Sequence, residues 1–138
     1  MSPRKFLEKV RPEWVLRLTL GLMYLYSGSS LFYQPSYWLG FAPEWFVRAW
    51  ENIAPFEFYL RIQGIGEFII GLLFLAWFGG KWGVKVASIL ATVEIGLILL
   101  LTGVDLITFR DIGLFGAALS LLVISWRENN KTKTQLTN

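Results

Sequence analysis

The sequence predicts an all-α membrane protein, a bundle of four transmembrane helices. Hydrophobic residues make up 54% of the 138 residues and charged residues only 17%, whereas soluble domains carry about 25% charged residues. The apolar residues are collected in four runs, 14–33, 58–78, 84–102 and 112–126. Because about 20 apolar residues form a helix long enough to cross a bilayer, the first three runs qualify directly. The fourth is short and is expected to borrow residues before 112 or to thin the bilayer locally.

The first run begins at Trp14, which marks a membrane interface, and ends before Pro35, since proline disfavours helix in the residue before it. Its basic start resembles a signal peptide, but the run is too long and no small-residue cleavage site follows. We therefore expect an uncleaved helix, with Arg17 extending to the interface. Residues 1–13 are interpreted as a cytoplasmic tail, 14–127 as the membrane domain and 128–138 as a disordered polar tail.

The long connection between the first two runs contains a predicted short amphipathic helix, Pro43–Ile53. Proline suits the first helical position. The apolar side chains then share one face, and they are Trp45, Phe46, Ala49, Trp50 and Ile53. Two placements stay open. The helix lies flat on the outer membrane surface, or it packs on the top of the bundle as a lid.

Basic residues are concentrated in the two tails and in the loop between the second and third runs. They are Arg4, Lys5, Lys9, Arg11, Lys81, Lys85, Arg127, Lys131 and Lys133. Positively charged loops stay in the cytoplasm, so this pattern predicts a plasma-membrane protein with both termini inside. Four crossings require both termini on one side, which agrees with the charge pattern. The basic charge is too small, and lacks the fold, to indicate nucleic-acid binding.

The sequence contains no cysteine and no histidine. This excludes thiol nucleophiles, cysteine-ligated iron–sulfur clusters, histidine-ligated haem and the usual zinc sites. No metal site is predicted. A redox role would need a diffusible cofactor such as a quinone, or a partner protein that carries the redox centre.

Two glutamates interrupt the second and third apolar runs, and they are the strongest functional signal in the chain. A carboxylate at the bilayer centre costs about 2.5–3.5 kcal/mol on insertion scales, and such residues usually face the bundle interior. Glu67 and Glu94 each lie about nine residues from the outer end of their helix, or roughly 13–14 Å deep. Antiparallel neighbours joined by a tight turn bring the two carboxylates within reach of each other.

Further polar side chains lie near the two glutamates. Gln63 is one helical turn above Glu67 and can hydrogen-bond it, and Tyr24 on the first helix lies at a depth similar to that of the glutamates. Two carboxylates this close in low dielectric cannot both be ionised cheaply, so at least one is expected to be protonated at neutral pH. The functional interpretation is a proton relay or a hydrogen-bonding site for a polar head group such as a quinone. The structural interpretation is a pair of neutral glutamates that hold helices together.

Charged residues also gather at the predicted outer surface. Arg61 lies near the outer end of the second helix, and Arg110 and Asp111 open the fourth, close to Asp105. An acid at a helix N-terminus is favoured by the helix dipole, which is an ordinary explanation for Asp111. The alternative is that these residues form the mouth of a pocket above the glutamates.

Small residues recur at helical spacing and predict close helix packing, because lipid provides no hydrophobic drive between helices. These pairs are Gly64 and Gly71, Ala87 and Ala91, Gly113 and Ala117, and Gly116 and Ser120. The first pair flanks Glu67 on one helix face.

Three segments together resemble the DoxX/DoxD-type membrane proteins. Residues 64–71 are similar to the G-x-x-E-x-x-x-G signature of that family's second helix, 109–119 to the start of its fourth, and 16–22 with Gly28 and Pro35 to its first. The resemblance covers residues 14–127. It implies a four-helix bundle and a link to redox systems, since family members include subunits of a thiosulfate:quinone oxidoreductase. Within the motifs, Glu67, Arg110 and Asp111 are the matching polar positions.

The leading hypothesis is a small membrane subunit of a redox or quinone-linked complex. Glu67 and Glu94 would relay a proton or hold a head group, and Arg110 with Asp111 would shape the outer mouth. The expected partners are the lipid bilayer, a redox protein and further copies of the chain. Two alternatives stay open: a scaffold whose loop helix docks a partner, and a proton-coupled transporter that works as an oligomer. The sequence leaves open whether the chain is itself an enzyme.

Overall fold

The computed structural model describes residues 10–76, 80–106 and 108–136, with side chains as far as Arg127. It consists of α1 (Pro12–Tyr33), a 3-10 helix (Pro35–Phe41), α2 (Glu44–Glu51), α3 (Phe56–Leu75), α4 (Gly80–Thr102) and α5 (Phe109–Leu136). Most of the predicted N-terminal tail, the end of the second apolar run and the last two residues lie outside the described residues.

Three helices are long and apolar enough to cross a membrane, namely Phe56–Leu75, Gly80–Thr102 and Phe109–Arg127. At most 33% of each apolar window is buried inside the protein, so most of their apolar surface faces outward, as in a lipid-exposed bundle. This confirms the prediction of an all-helical, multi-pass membrane protein. The predicted first span is not among the three, because α1 includes Arg17 and a serine-rich second half.

The closest helix packing in the molecule joins α1 to α3, which run antiparallel. A Cβ atom placed on Gly28 would lie 2.6 Å from the carbonyl oxygen of Gly64, and one on Gly64 would lie 2.7 Å from that of Gly28. A Cβ on Gly71 would lie 2.9 Å from the backbone nitrogen of Leu25. We call this contact, made by Gly21, Gly28, Gly64 and Gly71, the glycine seam. Only glycine lets the two backbones approach this closely.

The second helix pair, α4 and α5, packs through small and aliphatic side chains. Ala87 and Ala91 of α4 are fully buried, as are Ala118 and Leu121 of α5. The prediction that Gly113 and Gly116 also lie in a helix contact is wrong, because a Cβ on either would meet no atom within 4 Å.

Arg17 closes the end of α3. Its side chain is only 7% exposed. Its Nε donates to the carbonyl oxygen of Phe74 and its Nη2 to that of Ala76, both at 2.9 Å. These carbonyls belong to the last turn of α3, where backbone acceptors have no partner within the helix.

The turn between α4 and α5 is set by hydrogen bonds. Gly103 has a φ of +80°, the left-handed conformation that glycine adopts freely, and its N–H donates to the carbonyl of Leu99. The backbone N–H of Thr108 donates to Asp105 Oδ1 at 2.7 Å, and that of Asp105 donates to Thr108 Oγ1 at 2.8 Å. This reciprocal pair starts α5.

At its other end α5 continues to Leu136, where the composition led us to expect a disordered tail from residue 128. No glycine or proline follows Gly116, and the lysine, glutamine and glutamate residues of this stretch favour helix.

The loop helix lies on the bundle as a lid. The Phe46 ring centroid is 5.8 Å from that of Phe56 and 5.2 Å from that of Tyr59, and Trp50 lies 4.9 Å from Tyr59. Of the two placements that the sequence left open, this packing favours the lid. Its apolar face is divided, since Trp45 is 56% exposed.

Candidate functional site

Polar side chains from α3 and α4 meet inside the bundle. Gln63 lies between the two glutamates: its Nε2 is 3.2 Å from Glu67 Oε1 and 3.4 Å from Glu94 Oε1. One amide group therefore donates to both carboxyl groups and connects the two helices. The structure thus connects, through Gln63, the two glutamates that the depth count placed at one level.

The facing helix, α1, adds two hydroxyl groups. The Ser27 hydroxyl lies close enough to Glu67 to interact with its carboxyl group. The Tyr24 hydroxyl faces Glu94 and interacts with it, but no acceptor or donor completes a well-formed hydrogen bond to this oxygen. Tyr24, Ser27, Gln63, Glu67 and Glu94 are called the polar cluster below.

Three atoms of the polar cluster are buried without a hydrogen-bond partner. They are Tyr24 Oη, Glu67 Oε2 and Glu94 Oε2. The Tyr24 side chain is 2% exposed and Glu67 is 7% exposed. Leaving a buried polar group unpaired costs about 1–3 kcal/mol, and folded proteins rarely do so without a functional reason. Three such atoms in one place make the polar cluster the candidate functional site.

The local sequence explains why these side chains converge. Glu67 lies between Gly64 and Gly71, three residues after one and four before the other, so it shares the face of α3 that meets α1. Ser27 precedes Gly28, whose backbone contact with Gly64 fixes the distance between the two helices. Because the glycine seam holds α1 close to α3, the hydroxyl groups of α1 lie next to the carboxyl groups.

The predicted outer mouth is only partly brought to the cluster. Asp111 interacts electrostatically with Tyr24, and it also interacts with Arg110 and Asp105. Arg110 is exposed at the start of α5, and Arg61 is exposed on α3. Asp111 therefore interacts with the polar cluster from the start of α5.

Two residues near the site were missed by the sequence analysis. Ser27 gave no signal beyond its position three residues after Tyr24. Tyr59 lies one turn outward from Gln63, interacts electrostatically with both glutamates, and packs against Trp50 of the lid. A four-residue spacing of Tyr59, Gln63 and Glu67 on one helix face was visible in the sequence.

In the part of the chain that the structure describes, no three acidic residues come close enough to form a metal site. The arrangement suits proton transfer or hydrogen bonding, for which carboxyl, amide and phenol groups are the usual side chains.

Comparison with known proteins gives no match: no family model, no curated protein and no solved structure is similar to this chain.

Proposed function

We propose that this protein is a small multi-pass membrane subunit of a redox-linked complex, and that its polar cluster binds the head group of a quinone-type ligand. The observation that carries the proposal is the set of three unpartnered polar atoms, Tyr24 Oη, Glu67 Oε2 and Glu94 Oε2, in one buried place. An intramembrane carboxyl group with no ion-pair partner is expensive, and it is typical of a proton or ligand site.

The chemistry of the chain supports a division of labour with a partner protein. The sequence has neither cysteine nor histidine to hold a redox metal. The chain would therefore bind the head group and handle protons, while a cofactor-bearing partner would exchange electrons. The resemblance of residues 64–71 and 109–119 to DoxX/DoxD-type proteins favours the same role.

We further propose that α1 is the fourth span and that both termini lie in the cytoplasm. α1 follows α3 along its length, from the contact of Arg17 with Ala76 at one end to that of Phe32 with Gly64 nearer the other. A helix packed antiparallel along a membrane span shares its depth. The basic residues of both tails support the cytoplasmic placement.

Binding of a short-chain quinone and its quinol, each measured in nanodiscs, tests the proposal. In the double variant Glu67→Gln plus Glu94→Gln, we expect the more tightly bound form to lose at least about tenfold in affinity, or about 1.4 kcal/mol. The matched control is Glu44→Gln plus Glu51→Gln on the exposed face of α2, which should bind like the wild type. Unchanged binding in the first variant would contradict the proposal.

Mass spectrometry of the protein purified natively in mild detergent tests the partner. We expect a bound quinone and a cofactor-bearing oxidoreductase in the preparation. Lipids alone, with no protein partner, would count against a redox subunit and would favour the interpretation that the glutamates hold the helices together.

A further inference from the structure

We infer that the polar cluster selects a ligand group that donates hydrogen bonds, so that the hydroxyl-bearing quinol is held in preference to the carbonyl-bearing quinone. The inference deepens the proposed function and rests on it. It follows from an inventory of donors and acceptors, because the unpartnered carboxyl oxygens require a donor.

The donors of the cluster all face its own carboxyl groups. The Gln63 amide lies 3.2 Å from Glu67 Oε1 and 3.4 Å from Glu94 Oε1. The Ser27 hydroxyl interacts with Glu67, and the Tyr24 hydroxyl faces Glu94 without completing a hydrogen bond. An acceptor brought by a ligand would have to compete with these carboxyl groups for each donor.

The acceptors are in excess. Glu67 Oε2 and Glu94 Oε2 are both buried and unpartnered. Among the described residues, no lysine or arginine forms a hydrogen bond or ion pair with either glutamate. If one carboxyl group holds a proton, it becomes a donor, and the other carboxylate keeps its Oε2 as an acceptor. At least one acceptor therefore stays open for a ligand.

The open acceptors distinguish the two redox forms of a quinone. A quinone presents carbonyl oxygens, which only accept, and would leave Glu94 Oε2 unsatisfied. A quinol presents hydroxyl groups, which can donate to it. A site with unpaired polar atoms discriminates strongly between analogues that differ in one donor, because the wrong analogue leaves those atoms unpaired.

We place the ligand between α3 and α4, because the cluster is less buried on that side. Gln63 and Glu94 are only partly buried, whereas Tyr24 and Glu67 are buried on the α1 side. Tyr59, also partly buried, lies one turn outward from Gln63 and beneath Trp50 of the lid. A ring held next to Gln63 would place a hydroxyl group towards Glu94.

The test compares three probes under anaerobic conditions on the intact protein in nanodiscs: decylubiquinone, decylubiquinol and the dimethyl ether of the quinol. We expect decylubiquinol to bind at least about tenfold more tightly than decylubiquinone. The dimethyl ether keeps the ring but cannot donate, so it should bind no better than the quinone.

The variant Glu67→Gln plus Glu94→Gln sharpens the test, because each amide adds a donor. We expect the ratio of quinol affinity to quinone affinity to fall to about one. The affinity for the quinol should decrease, and the affinity for the quinone should stay the same. If the double variant does not fold, Glu94→Gln alone, at the partly buried position, gives the same comparison. Equal affinities or tighter quinone binding in the wild type would overturn the inference and leave the proposed function standing. Binding of neither form would overturn both.

Discussion

The two faces that α3 presents to its neighbours are built on opposite principles. Towards α1 it presents Gly64 and Gly71, and the backbones meet with no room for a side chain. Towards α4 it presents Gln63, whose long amide reaches Glu94 at 3.4 Å. At the glycine seam the two backbones have no space for a side chain. The polar cluster, in contrast, contains buried atoms without a hydrogen-bond partner. Glu67 lies on the same face as the seam, so rigid backbone packing and polar atoms without a partner lie side by side between α1 and α3.

The glycine seam and the polar cluster also contribute to the stability of the fold with opposite signs. Unpaired buried atoms destabilise a fold, and close van der Waals packing is what stabilises helix contacts in lipid. We interpret the seam as the contact that offsets the cost of the cluster. Breaking the seam should therefore remove the fold, and removing an atom of the cluster should make the fold more stable and less functional.

The largest effect is expected from Gly64→Val. The new Cβ would lie 2.7 Å from the backbone oxygen of Gly28 and 2.9 Å from the nitrogen of Phe32, atoms that cannot move independently. We expect a loss of about 3 kcal/mol or more, at the upper end for overpacking, and a protein that does not purify as a single species. Size-exclusion chromatography and thermal unfolding in detergent measure it.

Gly66→Ala is the matched control, because a Cβ there meets no atom within 4 Å. Alanine is favoured over glycine within a helix by about 0.5–1 kcal/mol, so this variant should unfold at the same or a higher temperature. If Gly64→Val and Gly66→Ala lowered the unfolding temperature equally, close packing at the glycine seam would not be the cause of the loss.

An intermediate effect is expected from Arg17→Met at the end of the seam. The change leaves the carbonyls of Phe74 and Ala76 without their donor, and hydrogen bonds from a charged group contribute about 1.5–3 kcal/mol each. The two bonds together would give about 3–6 kcal/mol, but the variant no longer buries a guanidinium group, which offsets part of this. We therefore expect a net loss of about 2 kcal/mol in thermal unfolding.

The control for Arg17 is Arg48→Met, which breaks only the exposed pair with Glu44. Such i,i+4 pairs contribute about 0.3–0.5 kcal/mol. If Arg17→Met destabilises the protein no more than Arg48→Met does, the hydrogen bonds of Arg17 do not stabilise the end of α3.

The smallest effect on stability, and one of opposite sign, is expected from Tyr24→Phe. The hydroxyl is buried and unpartnered, so its removal should raise the free energy of unfolding by about 1 kcal/mol. The same variant should bind the ligand less tightly. Tyr26→Phe, at a side chain that is 77% exposed, is the control and should change neither. Lower stability for Tyr24→Phe would indicate that the hydroxyl has a partner.

The sequence predicted the features that follow from long apolar runs and from the depth of a residue within its helix. Glu67 and Glu94 were expected at one level from a count of residues, and Gln63 connects them in the structure. Ser27 and Tyr59 were not foreseen. In a soluble helix the buried face is apolar and the outer face polar, but in lipid both faces are apolar, so periodicity does not show which side turns inward.

Two other differences between the sequence predictions and the structure have separate causes. The placement of the loop helix depended on whether Phe46 and Trp50 find aromatic partners on α3 or lipid, and both environments suit the same side chains. The extension of α5 to Leu136 follows from helix propensity, which a polar composition does not remove.

The glycine seam also has a consequence for biosynthesis. α1 is made first, but the partner that covers its glycines and accepts the hydrogen bonds of Arg17 ends only at residue 76. At about 5–20 residues per second, α1 waits several seconds for α3 to be completed. During that interval Glu13, four residues earlier on α1 and 3.5 Å from the Arg17 guanidinium, pairs with the arginine, so the first helix begins with an ion pair that α3 covers only later.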